Sequence, residues 1–172
     1  EFEKASVVIK ADLDGVDIAY GELFHKAPGI PMNIDGKLAA TPTSAVIENL
    51  TAKFHNAIVT MSGGMTGVGT PGADVTFKAA SNDVAMSPWS QLVPMLKAYE
   101  LTGAAAFKAD VRGPLGKLQY QADLAIKALK AKAPTLKVQP QIDATVRVVT
   151  DKVERMEMTF KAPGNELVVA GS

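Results

Sequence analysis

Apolar side chains recur at every second position in one segment after another. This period of two most restricts what the chain can become, because it is the repeat of a β-strand covered on one face. Val7, Ile9, Ala11 and Leu13 alternate with Lys10 and Asp12, and Ile34, Gly36, Leu38 and Ala40 alternate with Asp35 and Lys37. Val75, Phe77 and Ala79 oppose Thr76 and Lys78; Leu118, Tyr120, Ala122, Leu124 and Ile126 oppose Gln119, Gln121, Asp123 and Lys127. Toward the C-terminus Ile142, Ala144, Val146 and Val148 alternate with polar neighbours, followed by Met156, Met158 and Phe160. Turn-forming pairs punctuate these runs at short intervals: Asp14-Gly15, Pro28-Gly29, Gly63-Gly64, Pro71-Gly72, Gly113-Pro114 and Pro163-Gly164. The expected fold is mainly β, a curved or folded antiparallel meander of about ten strands in a single domain.

One segment, 87–100, reads as helix. Ser87 can cap it, Pro88 suits the first helical position, and Trp89, Leu92, Val93, Leu96 and Tyr99 fall on one stripe, with a kink expected at Pro94. The Ala- and Lys-rich stretch 124–132 could also form helix, but the alternation running on from Tyr120 favours a strand. Segments 27–63 and 133–172 resemble each other as an internal repeat. Glu48 matches Glu154, Phe54 matches Phe160, Ile34-Asp35 matches Ile142-Asp143 and Ala27-Pro28 matches Ala133-Pro134. After a three-residue insertion, Asn56 and Val59 match Asn165 and Val168. Similarity between two amphipathic hairpins could produce the same matches.

Charge and composition narrow the function. Lys and Arg number 18, as do Asp and Glu, so a phosphate backbone or an anionic surface gains nothing from net attraction, and nucleic acid is not an expected partner. The absence of Cys excludes disulfides, thiolate metal sites and thiol nucleophiles. No run of about 18 apolar residues occurs, and no basic stretch followed by an apolar one opens the sequence, so neither a membrane span nor a signal peptide is expected within it. Strand pattern begins almost at once and still runs at Val169, from which we expect a piece cut from a longer chain.

The motifs that resemble chemistry fail in context. Gly67, Gly69 and Gly72 spell a dinucleotide fingerprint, but Pro71 lies inside it and a strand follows where a helix is required, so a glycine-rich turn is expected. His25 and His55 have no carboxylates at metal-ligand spacing and no nucleophile elbow to serve, and they read as surface histidines. Asp12, Asp14 and Asp17 lack the terminal Glu of a calcium loop and suit a turn. Asn49-Leu50-Thr51 falls on an expected strand and is treated as a chance glycosylation sequon. No nucleophile, base and orienting group can be nominated together, so no enzyme activity and no cofactor or metal is expected.

What remains is the apolar face itself. Ile34, Leu38, Phe54, Phe77, Phe107 and Tyr120 contribute to it, as do Ile126, Val146, Val148, Met158 and Phe160. A helix of about fourteen residues is roughly 20 Å long and covers only part of a ten-strand sheet. A second sheet, the same sheet folded over, a partner chain or lipid must cover the rest.

Assembled in order, the segments resemble the AsmA-like family of bacterial envelope proteins, related to TamB and to repeating β-groove lipid-transfer proteins. The likeness covers most of the chain. It is carried by DGVDIAYGELFHKAPGIPMNIDGKLAA at 14–40, by the strand pair through IENLTAKFHNAIVTMSGGMTG, and by PGADVTFKAASNDVAMSPWSQLVPML, where a strand runs into the helix. LTGAAAFKADVRGP continues it, with Gly103 opening a strand that Gly113-Pro114 closes. The order resembles the family's C-terminal region. It implies a noncatalytic β-groove segment of a periplasmic protein, tethered to the inner membrane through a segment outside these residues. Its implied work is phospholipid transport or outer-membrane assembly, with phospholipid or another acyl-chain lipid, and other envelope proteins, as partners. Trp89, Leu92 and Leu96 would then join the apolar strand positions as lipid contacts. The alternatives are a closed β-sandwich serving as a structural or protein-binding module, a closed lipocalin-like carrier, and an unrecognised hydrolase.

Overall fold

The computed structural model describes residues 3–132 and 137–172. Thirteen strands form: β1 (Ala5–Asp12), β2 (Ile18–Tyr20), β3 (Phe24–Lys26), β4 (Met32–Thr41), β5 (Ser44–Phe54), β6 (Ala57–Thr66), β7 (Asp74–Ser81), β8 (Val84–Ala85), β9 (Thr102–Pro114), β10 (Gln119–Lys130), β11 (Gln141–Val149), β12 (Lys152–Ala162) and β13 (Asn165–Gly171). All but β2 and β3 belong to one 11-stranded sheet, ordered β1-β4-β5-β6-β7-β9-β10-β11-β12-β13, with β8 paired to β9. Every pairing is antiparallel. The expected meander is therefore the fold, interrupted only by a β2–β3 hairpin between β1 and β4 and by the segment between β7 and β9.

Register turns the alternation into two distinct faces. One row crosses the sheet as Val7, Leu38, Ile47, Gly63, Phe77, Val111 and Tyr120, and a parallel row runs Phe107, Leu124, Val146 and Met156. On the opposite side Lys108, Asp123, Arg147 and Arg155 stand in line. A slip of one residue at any ladder would exchange the two sides, so the hydrophobic pattern itself holds the register.

Two close approaches require glycine. Gly63 has φ +154°, and a Cβ there would lie 2.2 Å from the Thr76 carbonyl oxygen. Gly103, at φ +96°, faces the bulge at Ala128, whose own φ is +49°, and its Cβ would meet the Ala128 oxygen at 2.6 Å. The bulge doubles one strand against the other, and only a residue without a side chain leaves room opposite it.

The sheet does not close, and no second sheet faces it among the described residues; the only other sheet is the β2–β3 hairpin. This corrects the closed-sandwich and lipocalin-like alternatives, both of which need their apolar face sealed by strands. The expected helix at 87–100 is also corrected. It is two 3₁₀ turns, Ser87–Gln91 and Pro94–Ala98, separated by Val93 in an extended conformation. Proline disfavours helical geometry at the residue before it and lacks the amide needed to continue the ladder, so Pro94 ends the first turn where a kink was expected. The segment 124–132, ambiguous in sequence, lies mostly in β10. The segments compared as a repeat fall on β4–β6 and β11–β13, and Glu48 and Glu154 each lie at a shift of register. Ala133 and Pro134 lie outside the described residues.

Candidate functional site

The candidate site is the apolar face together with a cap at one of its ends. Ile34, Leu38, Phe54, Phe77, Phe107, Tyr120, Ile126, Val146, Val148, Met158 and Phe160 all share that face by register. Their exposure sets them apart from core residues. Phe107 is 38% exposed, Tyr120 40%, Ile34 41% and Leu124 43%. Leu124, directly between Phe107 and Val146, was missing from the candidates, although it falls on the alternation running through Tyr120 and Ile126. Only Ala73, Val84, Leu92 and Ala144 are buried hydrophobic residues among those described. The middle of the sheet thus carries an apolar surface that the protein's own atoms leave about half open, which is unusual for a surface this continuous.

The cap forms because both insertions leave the sheet from the same end. β1 finishes and β4 begins there, as Asp12 pairs with Asn33, and β7 finishes there opposite Val59. The His25 amide donates to the Leu92 carbonyl at 2.7 Å, and the His55 amide donates to that of Pro31 at 2.7 Å. Phe54, at the last position of β5, receives both sides of the cap, with Phe24 at 6.0 Å between ring centroids and Trp89 edge-on at 5.7 Å. Leu92 is wholly buried. It therefore packs the cap, whereas Trp89 and Leu96 are half-buried.

Lys26 is the least expected element of the cap. It is wholly buried, and its ammonium donates to the carbonyl oxygens of Asp14 at 3.1 Å and Val16 at 3.0 Å. Removing a charge from water is costly, and two carbonyl acceptors offset part of that cost while pinning the 14–16 turn. The Asp14 carboxylate meanwhile accepts from the Met32 amide at 2.6 Å and from Asn33 at 3.3 Å, tying the same turn to the start of β4. The acidic residues of this region are thus a turn fastening, as their spacing suggested. Periodicity marks Lys26 only as a polar position; nothing local indicates that it will be buried.

Both histidines take part in the cap. His25 lies 3.1 Å from Asp17 and His55 holds the Pro88 carbonyl at 3.1 Å. No cluster of three or more metal-ligating side chains occurs among the described residues. The glycine-rich stretch 67–73 is a connection between β6 and β7, with Gly67 at φ +68° and Gly69 at φ +82°. Asn49 lies within β5.

The other face is polar and its charges are largely matched. Arg147 donates to Asp123 at 2.5 Å across β10 and β11, Lys127 to Asp83 at 2.9 Å, and Arg155 to Glu157 at 2.8 Å. The Arg147 and Gln121 donors hold the Asp123 carboxyl below its ordinary value of 3.8. Asp143 is lowered in the same direction by the Ala128 amide and by Gln141. A recess of about 470 Å³ lies on this face between Thr60, Lys78, Lys108, Asp110 and Asp123. Lys78 lies 3.8 Å from Asp110 and Asp123 is taken by Arg147, while no ion pair to Lys108 is found among the described residues. The apolar face remains the stronger candidate because it runs from strand to strand with Ile34, Phe107 and Leu124 each more than a third exposed.

No protein-family model, curated protein or solved structure matches the chain.

Proposed function

We propose that this chain is a noncatalytic lipid-handling module whose open apolar sheet face accepts the acyl chains of phospholipid. The observation that carries this reading is the row Phe107, Leu124, Val146 and Met156, in the middle of a continuous apolar surface with Phe107 and Leu124 well exposed to solvent. Each acyl CH₂ gains about 0.8 kcal/mol on leaving water, so a sixteen-carbon chain held bare in an aqueous space is disfavoured by on the order of 12 kcal/mol. An apolar surface of adjacent strands offsets most of that cost without any polar site, which accords with a surface that carries no specific recognition groups. The likeness to AsmA-like envelope proteins supports the same reading. It adds a periplasmic setting, a tether to the inner membrane outside this segment, and a role in phospholipid transport or outer-membrane assembly, with envelope proteins as further partners.

The test is native mass spectrometry of protein recovered from bacterial membranes, together with transfer of a fluorescent phospholipid between vesicles. Bound phospholipid and accelerated transfer are expected. Phe107→Glu and Leu124→Glu should each abolish both while lowering stability by only about 1–2 kcal/mol, since the replaced side chains are already part-solvated. Lipid-free protein that transfers nothing, or glutamate variants that retain full transfer, would defeat the proposal.

A further inference from the structure

The chain exposes 11139 Å² of accessible surface. A compact monomer of 18.1 kDa leaves about 8,100 Å² to water, so this one carries roughly 3,000 Å² more than its mass explains. Register shows where much of it lies. No paired position on the apolar side of the ten-strand path holds a charged residue. One ladder there runs through Gly36, Leu50, Met61, Ala79, Ala109 and Ala122, and on β7, β9 and β10 the bulky Phe77, Val111 and Tyr120 stand beside its alanines. Nine inter-strand steps of about 4.8 Å, by strands of about nine residues at about 3.3 Å each, give this face an area on the order of 1,300 Å². Two such faces laid together bury about 2,600 Å², within the range of stable homodimers and well above that of a transient encounter.

We propose that a second copy of this chain covers the apolar face of the lipid-free protein, the two sheets stacking face to face as a two-fold dimer. A two-fold interface requires a patch that suits itself. A face without charge meets that condition, because repeating it opposes no like charges, and it offers no charge by which a chemically different protein would be preferred. Large and small side chains set side by side allow two such faces to interdigitate at the usual spacing of stacked sheets. The cap fixes the orientation. It stands at one end of the strands, where Phe24 and Trp89 pack on Phe54. A two-fold axis along the strands would bring both caps to the same end and against each other. An axis across the strands sends them to opposite ends and lays each strand over its own counterpart. That axis passes near the middle of β9 to β12, where Phe107, Leu124, Val146 and Met156 form one ladder, so each of these faces its own copy.

This inference does not rest on lipid binding, and its test is run on lipid-free protein, so its failure leaves the vesicle-transfer result to stand by itself. Sedimentation over a wide concentration range should show two chains and nothing larger. Leu124→Lys and Leu124→Glu should each weaken the dimer by at least about tenfold, since each sets a charge against its own copy. An equimolar mixture of the two should recover it, because only the mixed dimer opposes unlike charges. The sequence has no cysteine, so Leu124→Cys introduces the only thiol. A short bifunctional maleimide should join two Leu124→Cys chains and leave Lys108→Cys chains, altered on the other face, unjoined. The cysteine variants change little in the fold and decide the matter where a charged variant does not fold. A mass fixed at one chain throughout, or cross-linking no greater at Leu124→Cys than at Lys108→Cys, would overturn the proposal, as would folded charged variants whose mixture stays monomeric.

Discussion

At the level of single residues, the polar face stores its stabilisation in a few carboxylates. The Arg147 and Gln121 donors lower Asp123, and the Ala128 amide and Gln141 lower Asp143. A carboxyl whose folded value lies below its unfolded value of 3.8 stabilises the fold above that pH, and the contribution disappears as pH falls toward the folded value. We therefore expect melting temperature to be flat near neutrality and to fall below about pH 4, with Asp123→Asn and Asp143→Asn flattening the acid limb. Thermal melts from pH 7 to pH 2 measure it; identical acid limbs would contradict the assignment. The effect should be modest, because both side chains keep partial access to solvent. Asp143 has a second duty, since its carboxylate receives the Ala128 amide at 2.6 Å and so fastens the bulge. That bond was not legible in the sequence, where Asp143 stands out only as a polar position in an alternating strand. Lys26 was hidden for the same reason, as its ammonium reaches the Asp14 and Val16 carbonyls, ten and more residues earlier in the chain.

Strands and turns were the most legible elements, because a period of two needs only local reading. Tyr120 to Ile126 announced β10 against the helical pull of its Ala and Lys content, and the Pro163-Gly164 pair marked the β12–β13 turn. Helix was overestimated at 87–100, where the apolar stripe was genuine but Pro94 outweighed it. Irregularities within strands escaped notice. The bulges near Glu48, Ala128 and Glu154 leave the composition unchanged and appear only when partners are aligned. Gly63 shows what such alignment demands. Gly63→Ala would drive its methyl against the Thr76 carbonyl, and relief requires β6 and β7 to separate. We expect a loss of about 3 kcal/mol in urea unfolding, whereas Gly116→Ala, which meets open space, should be close to neutral.

Across the whole molecule, stability is distributed along the ladder rather than concentrated in a centre. Strands of the main sheet contact chiefly their immediate neighbours, and few side chains are buried. Such a structure behaves as a chain of nearest-neighbour interfaces, which open from the ends inward. Hydrogen exchange should accordingly be fastest in β1 and β13 and slowest in β6, β7 and β9, in the middle of the strand order. Uniform protection across all strands would show that unfolding is concerted instead. The sequence revealed the apolar face because alternation specifies sidedness. It could not reveal that the face stays open, because that depends on whether anything folds back over it.

The cap has a geometric corollary. It sits at the end of the strands, against Phe54 at the last position of β5, and so lies across the strand direction. At right angles to it, nine inter-strand steps of about 4.8 Å span roughly 43 Å. That is near the full thickness of a bilayer with its headgroup regions. On the proposed reading, an acyl tail lying crosswise on the sheet would have a track longer than its own extended reach.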